Sequence, residues 1–393
     1  MRKFFGNSLI VMLAAIVFVL LVEPVIAQDE PYITHNTRPL ITEGPYLVAP
    51  TQNGMSIVWK TDTDSHSRIE YGTSPELGNM AEIYEHGFVP IGTVHAIRLS
   101  GLTPGQTYHY KVVSTRVVKM KGYWPEKGLS IESPVYTFTV PSPETNTVTF
   151  SFVADTQHGD LRRTAANLDA VDWTNSDFLV HGGDAFGSID TEEQLFEELL
   201  RPVSIRLGHS KPLVFVRGNH DLRGAFARQI YEYFPTPTGE FYYSFDAGPV
   251  HFLVLDTGED KDDDTNVYSG LNRTEPYREQ EFAWLQEHVE ANRRIEEAPF
   301  RIILMHAPNW GWVDGDPAKW TDVANRTGVD LVISGHRHRF SWSPPGTEGR
   351  EYGILVVGQD QVGTVQASST EIKWRVTDTS GSEVGAGSVP RRK

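Results

Sequence analysis

Cysteine is absent from all 393 residues of the sequence. Its absence excludes disulfide bonds, cysteine nucleophiles, thiolate zinc sites and iron–sulfur clusters. The sequence also lacks the G-x-S-x-G nucleophile elbow, the phosphate-binding G-x-x-x-x-G-K loop and the H-E-x-x-H zinc motif. An enzyme built on this chain must therefore use another chemistry.

Positive charge is scarce: 35 Lys and Arg residues stand against 51 Asp and Glu residues, which gives a formal net charge of −16. A surface with this balance repels nucleic acid and anionic lipid. We therefore expect no nucleic acid as a stable partner, and membrane contact only through an uncleaved leader. The charge does not exclude an anionic substrate, because bound cations can reverse its sign locally.

A long apolar run, residues 9–22, lies at the N-terminus behind Arg2 and Lys3. Small residues around Ala27 offer a cleavage point, so we predict a signal peptide over residues 1–27. The alternative is a retained anchor, because the run is long for a signal core and short for a membrane span. Both alternatives export the folded part. With no cysteine to form disulfides, this indicates a secreted or periplasmic protein of a bacterial cell envelope.

Two kinds of sequence pattern follow a polar arm, residues 28–40. Residues 41–141 are short runs of alternating polarity, such as SIVWKT and TYHYKVVS, broken by Gly, Pro, Asn and Asp. This spacing predicts an all-β sandwich. After the linker VPSPETN, residues 147–378 alternate apolar strands such as PLVFVRG with helix-like segments such as TEEQLFEELLRPV. That pattern predicts an α/β, or layered α+β, domain with a sheet buried on both faces, before a C-terminal tail at residues 379–393.

The unusual polar residues of the second domain follow its predicted strands, where α/β folds gather their ligands. Oxygen and nitrogen donors without sulfur suit Zn, Mn or Fe, and a shared carboxylate can bridge two ions. Five strand ends deliver such donors: Asp155 after SFVA, Asp184 after FLVHGG, Asn219 after LVFVRG, His306 after RIILM, and His336 with His338 after DLVISG.

The motifs ADTQ, GGDAFG, GNHD, MHAP and GHRH, in this order, resemble those of the calcineurin-like metallophosphoesterase superfamily. The preceding sandwich resembles the fibronectin-like domain of its purple-acid-phosphatase-like subgroup. The resemblance implies two divalent or mixed-valence metal ions, Fe, Zn or Mn. It also implies a catalytic His220 that faces the substrate and is oriented by Asp221, with a loop cap as the alternative role of Asp221. The implied ligands are Asp155, Asp184 and His338 for the first metal, and Asp184, Asn219, His306 and His336 for the second.

The sequence departs from the family pattern beside Asp155, where many members place histidine two residues later. Here Gln157 has that position and His158 follows it. Residues i and i+2 of an extended chain face the same way, so we expect Gln157 near the first metal, with His158 as the alternative if the chain bulges. Because Gln is a weaker, neutral oxygen donor, we expect the first metal to bind more loosely.

A second departure concerns Gly187, three residues after Asp184. Purple acid phosphatases place there the tyrosine that binds ferric iron and gives their colour. A Tyr–Fe(III) centre is therefore not expected in this chain, and the choice of metal stays open.

Substrate contacts are expected from loops near the ligands. Trp310 and Trp312 follow His306 and offer rings for stacking, with packing over the sheet as the alternative. Arg337 lies between two ligands and offers a phosphate contact, with solvated surface charge as the alternative.

The sequence thus predicts an exported enzyme that cleaves small phosphate monoesters with a hydroxide activated by two metals. A phosphodiesterase or nucleotidase with the same site is the alternative. The alternative of another class is an inactive surface binding protein on a phosphatase scaffold.

Overall fold

The structure, a computed structural model, describes residues 35–157, 161–310 and 317–392. The predicted signal peptide and residues 28–34 of the predicted arm lie outside the described residues, as do His158 and Trp312. Among the helices that are described, none has both the length and the hydropathy needed to span a bilayer.

The N-terminal part is all β, as predicted. Its long second strand has two sets of neighbours: the first half pairs with the strands Ile41–Thr51 and Gly92–Ser100, and the second half with Asn79–Ala81 and Thr107–Lys119. Buried apolar side chains pack together in the interior of this part, where Trp59 donates a hydrogen bond to Ser114 Oγ at 2.8 Å. The strands are β1 (Ile41–Thr51), β2 (Gly54–Gly72), β3 (Asn79–Ala81), β4 (Gly92–Ser100), β5 (Thr107–Lys119), β6 (Glu126–Glu132) and β7 (Tyr136–Thr139).

The second part mixes strands and helices, which confirms the predicted fold class. Its strands are β8 (Thr147–Val153), β9 (Phe178–His181), β10 (Pro212–Phe215), β11 (Tyr243–Ala247), β12 (Val250–Val254), β13 (Phe300–Leu304), β14 (Leu331–Ser334), β15 (Ser341–Ser343), β16 (Gly353–Val356), β17 (Gln361–Ser368), β18 (Glu371–Asp378) and β19 (Glu383–Pro390). Its α-helices are α1 (Leu161–Asp169), α2 (Glu192–Gln194), α3 (Arg201–Leu207), α4 (Thr274–Ala291), α5 (Arg293–Glu297) and α6 (Pro317–Thr327), with a π-helical segment, Leu195–Leu200, joining α2 to α3.

Two sheets, rather than the single sheet of the prediction, form the core of this part. One has the order β19-β18-β17-β8-β9-β10 and the other β11-β12-β13-β14-β16-β15. Phe150 and Phe178 of the first sheet pack against Phe245 and Phe252 of the second, and helices cover the outer faces. Strands β9, β10, β12, β14 and β16 are buried along their whole length, so their sequences are mostly apolar and do not reveal which sheet each strand joins.

The first sheet continues into the N-terminal part, because β1 pairs in parallel with β10 through Leu47↔Pro212 and Val48↔Leu213. Tyr110 of β5 also donates a hydrogen bond to the His209 carbonyl at 2.8 Å. The β-domain is therefore joined to the sheet that leads to the candidate site.

The stretch predicted as a C-terminal tail contains the edge strand β19, so that prediction is corrected for residues 383–390. A Cβ on Gly385 would lie 2.4 Å from the Phe340 ring, and one on Gly387 would lie 2.4 Å from the Trp374 ring. Glycine at these two positions lets the aromatic rings pack against the strand.

Candidate metal centre

Strands from both sheets end at one edge of the core and bring the predicted ligands together. Backbone approach there is close: a Cβ on Gly218 would lie 2.3 Å from Asp184 Oδ1. Glycine is therefore required before the Asn219–His220 pair. Four candidate ligands have the left-handed backbone that non-glycine residues rarely adopt: Asp155 (φ 57°), Asp184 (54°), His336 (68°) and His338 (57°). Such conformations cluster at functional sites, where the surrounding structure enforces them.

The first donor group consists of Asp155, Asp184 and His338, whose ligand atoms all lie within 4.8 Å of one another. The buried Asp155 carboxylate accepts the backbone N–H of His336 at 2.9 and 3.1 Å. His338 Nε2 lies 3.6 Å from Asp155 Oδ1, and 42% of the His338 side chain is exposed. This group is therefore open to solvent on one side.

The second donor group consists of Asp184, His306 and His336, again within 4.8 Å of one another. His306 Nδ1 lies 2.8 Å from the Gly182 carbonyl, which can only accept, so the Nδ1–H donates there. The His306 Nε2 then faces Asp184 Oδ2 and His336 Nδ1, each at 3.2 Å. Asn219 Oδ1 lies 3.1 Å from the same nitrogen of His336, so it joins this group.

These residues fit a pair of cations. Carboxylate oxygens, an amide oxygen and imidazole nitrogens converge with Asp184 in common, which is a donor set for Zn, Mn or Fe. The hydrogen bond from His306 to a main-chain carbonyl fixes the ring tautomer, a common feature of metal-bound histidines.

The shifted pKa values of the buried side chains also favour a bound cation. Burial raises the pKa of Asp155 to about 7, and Asp184 adds to that shift although His306 opposes it. Burial also raises the pKa of Asp184, but the charge and hydrogen bond of His306 outweigh it and hold that pKa below its usual range. The same contact raises the pKa of His306 against the effect of burial. Of the two carboxylates, Asp155 is thus the one short of nearby positive charge, which a bound cation would supply.

Gln157 points into the first donor group. Its amide nitrogen is placed 3.0 Å from His338 Nε2, and within the described part of the chain its buried amide oxygen has no hydrogen-bond partner. Amide oxygen and nitrogen are interchangeable assignments, so either atom can face the donors. The predicted choice of Gln157 over His158 stays a prediction, since His158 is outside the described residues.

Asp221 does not orient the ring of His220, so the predicted catalytic role of Asp221 is corrected. Its buried carboxylate accepts four backbone N–H groups, those of Asp184, Ala185, Phe186 and Gly218, at 2.8–3.3 Å. Short polar side chains readily bind nearby backbone in this way, which is the loop-cap alternative. Asp221 thereby holds the loop that carries Asp184.

His220 instead contacts Gly187 and Arg223. Its Nδ1 lies 2.8 Å from the Gly187 carbonyl, and Arg223 Nη1 lies 2.9 Å from its Nε2. Arg223 is held in turn by the buried Glu259 at 2.6 Å and by Asp260 at 3.0 Å. Sequence reasoning missed Arg223. The sequence feature that could have indicated Arg223 is its position three residues after His220, directly after the 3₁₀ turn His220–Leu222.

The predicted substrate contacts are divided. Arg337 is exposed beside His336 and His338, whereas Trp312 lies outside the described residues. Trp310 is buried: its indole N–H is 3.2 Å from Thr321 Oγ1, and its ring stacks on Trp320 at 5.6 Å. The prediction that Trp310 contacts substrate is therefore wrong, because the ring packs under α6.

Comparisons with known proteins agree with this architecture. Residues 44–140 match the model of the purple acid phosphatase N-terminal domain, and residues 148–340 match that of the calcineurin-like phosphoesterase family. Purple acid phosphatase 22 of Arabidopsis thaliana is 23% identical over 71% of this chain. The chain spans 61% of the length of that relative and 62% of the length of purple acid phosphatase 18 from the same plant.

Solved structures share the fold. The structure of purple acid phosphatase PPD1 from yellow lupin (Lupinus luteus) seeds has a TM-score of 0.65 at 15% identity, over 88% of this chain and 74% of that one. The structure of PhoD has a TM-score of 0.57 at 14% identity, over 90% of both chains. The chain therefore contains a calcineurin-like phosphoesterase domain over residues 148–340 and, in front of it, an N-terminal domain of the purple acid phosphatase family over residues 44–140.

Proposed function

We propose that this chain is an exported phosphohydrolase that holds two metal ions, Fe, Zn or Mn, and cleaves small phosphate monoesters. The observation that carries the proposal is the pair of donor groups sharing Asp184. The two donor groups would hold two cations, which would supply positive charge for the phosphate oxygens and would activate water as a nucleophile. The names of the relatives, all phosphatases, support the same chemistry.

The chain's own residues prepare this centre. The carbonyl of Gly182 keeps the His306 proton on Nδ1 and so directs Nε2 inward. The backbone N–H of His220 donates to Asp184 Oδ1 at 2.8 Å and holds the shared carboxylate in place. Fixing ligands before substrate arrives removes a reorganisation cost from the reaction.

Arg223 supplies hydrogen-bond donors beside the shared carboxylate, and His220 accepts one of them at Nε2 while its Nδ1–H is donated to the Gly187 carbonyl. Arg223 is charged at every working pH, and its guanidinium is directed at His220 by Glu259 and Asp260. We infer that this pair binds a phosphate oxygen of the substrate and stabilises charge that develops on the leaving oxygen. Arg337, exposed beside the first donor group, is a further candidate phosphate contact.

Export is proposed from the N-terminal apolar run and the lack of cysteine. Its test is the N-terminal residue of protein recovered from outside the cytoplasm. A start at residue 28 supports a cleaved signal peptide, whereas recovery only in the membrane fraction with residue 1 intact supports the anchor.

The activity is tested by release of 4-nitrophenol from 4-nitrophenyl phosphate after loading with Mn or Zn. We expect turnover that a chelator abolishes and that Asp184→Asn lacks. The matched control is Asp322→Asn, which changes an exposed aspartate of α6 paired with Arg326 and should keep full activity.

Substrate class is tested in parallel with bis(4-nitrophenyl) phosphate. Preferred cleavage of the diester would favour a phosphodiesterase. No turnover of either ester by folded, metal-loaded protein would overturn the proposed function and favour a binding protein on this scaffold.

A further inference from the structure

A groove on the protein surface begins at Arg223, beside the candidate metal centre. Its first cavity, of about 610 Å³, runs between residues 222–228 and 267–272. A second cavity, of about 330 Å³, adjoins it and shares Leu222, Arg228, Leu271 and Asn272 as walls. Asp184, His220 and Arg223 form a continuous chain of contacts from the shared ligand to this groove, through bonds of 2.8 and 2.9 Å.

The groove has apolar walls that are open to solvent. Val267 and Leu271 each expose 71% of their surface, and Tyr268 lies between them. Exposed apolar side chains grouped around a concave surface are typical of ligand sites.

Positive charge lines the groove although the protein as a whole is strongly acidic. Arg223 and Lys261 line the first cavity, Arg217 and Arg273 line the second, and Arg228 lines both. Carboxylates compensate Arg223, Lys261 and Arg217, which pair with Glu259, Asp260 and Asp256.

Arg273 has none of these carboxylate partners and donates to the Gly270 and Asn272 carbonyls. Arg228 likewise differs from Arg223, Lys261 and Arg217. It donates a hydrogen bond to the Leu271 carbonyl at 3.3 Å, and no carboxylate within the described ranges lies within 4.0 Å of it. Its charge is therefore available to a ligand where the two cavities meet.

We propose that this groove binds the leaving group of the substrate and selects phosphate esters whose alcohol carries a second anionic group on an apolar or aromatic body. This inference rests on the proposed function, because the reacting phosphate must sit at the metal centre. The second anion, a carboxylate or another phosphate, pairs with Arg228, and the apolar body packs on Val267 and Leu271. An uncharged alcohol gains only the packing.

The experiment compares kcat/KM for two matched pairs of substrates. One pair is 3-carboxy-4-nitrophenyl phosphate and 4-nitrophenyl phosphate, which tests a carboxylate. The other is 1,4-phenylene bisphosphate and phenyl phosphate, followed by phosphate release. The ratio within each pair is compared between wild type and variants, so the intrinsic reactivities of the esters cancel.

We expect Arg228→Gln to lower the charged-to-neutral ratio by roughly two- to fivefold, the effect of one exposed, partly screened ion pair. Arg228→Lys should keep most of the ratio. The matched control, Arg326→Gln on α6, should leave the ratio at the wild-type value. Rising salt should lower the ratio in wild type more than in Arg228→Gln. A fall for only one pair identifies which anion the groove accepts.

An unchanged ratio for both pairs in Arg228→Gln, with turnover intact, would overturn the groove assignment alone. Turnover of none of the four esters would overturn the proposed function and the groove assignment with it.

Discussion

The two donor groups share Asp184 but differ in how the chain holds their other members. In the second group, His306 is fully buried and tied to the Gly182 carbonyl, and Asn219 is buried beside His336. In the first group, His338 is exposed, and the side chain of its neighbour Gln157 is a weak metal ligand. A ligand with fixed orientation loses less freedom when it binds, so we expect the second metal to bind more tightly than the first.

The largest effect should come from Asp184→Asn, because this change removes a ligand from both groups at once. We expect retained metal to fall to background in elemental analysis after gel filtration. Activity should fall by roughly a thousandfold or more, since metal stabilisation of the transition state amounts to several kcal/mol. Loss of one metal only, with the other retained, would contradict a shared ligand.

His306→Ala and His338→Ala separate the two groups. In metal-free protein, His306→Ala should destabilise the fold by about 3 kcal/mol, because it empties a buried position and leaves Asp184 without its partner. His338→Ala should change stability by no more than about 0.5 kcal/mol, since the side chain is exposed. Denaturant unfolding in the presence of chelator measures both, and equal effects would contradict the contrast between the groups.

The sequence predicts which donor residues converge because the ends of apolar strands can be recognised in it. Asp184 and His306 each follow an apolar run, and parallel strands bring such ends to one edge. The sequence does not determine the role of Asp221, because a carboxylate in a turn can bind either a side chain or the backbone. The packing of the loop determines which of the two it binds. The prediction for Trp310 is wrong for a related reason. Tertiary packing determines whether an aromatic ring after a strand packs on the core or faces the substrate. The pairing of Arg223 with His220 depends on Glu259, which lies 36 residues from Arg223 in the chain.

Asp221→Asn tests how the centre is supported. Asn offers one oxygen where the carboxylate accepts four N–H groups, so we expect a loss of roughly 2 kcal/mol of stability. Because Asp221 holds the loop of the shared ligand, both metals should bind more weakly. The control is the pH profile of kcat in metal-saturated protein. A positioning residue leaves its shape unchanged, whereas a shifted limb would restore Asp221 to a direct role at His220.

Gln157→His should reduce the difference in metal affinity between the two donor groups. Imidazole is a stronger ligand than a carboxamide for Zn and Fe, so in the Zn-loaded protein the substitution should tighten binding of the first metal by about tenfold and leave the second unchanged. Competition with a metal-sensitive chelating dye resolves the two affinities, and His158→Ala is the matched comparison. If Gln157 occupies the ligand position, His158→Ala leaves both affinities as they are. Weaker binding of the first metal in His158→Ala, with no gain in Gln157→His, would assign that position to His158. The looseness of the first site would then come from the exposure of His338 and not from the amide.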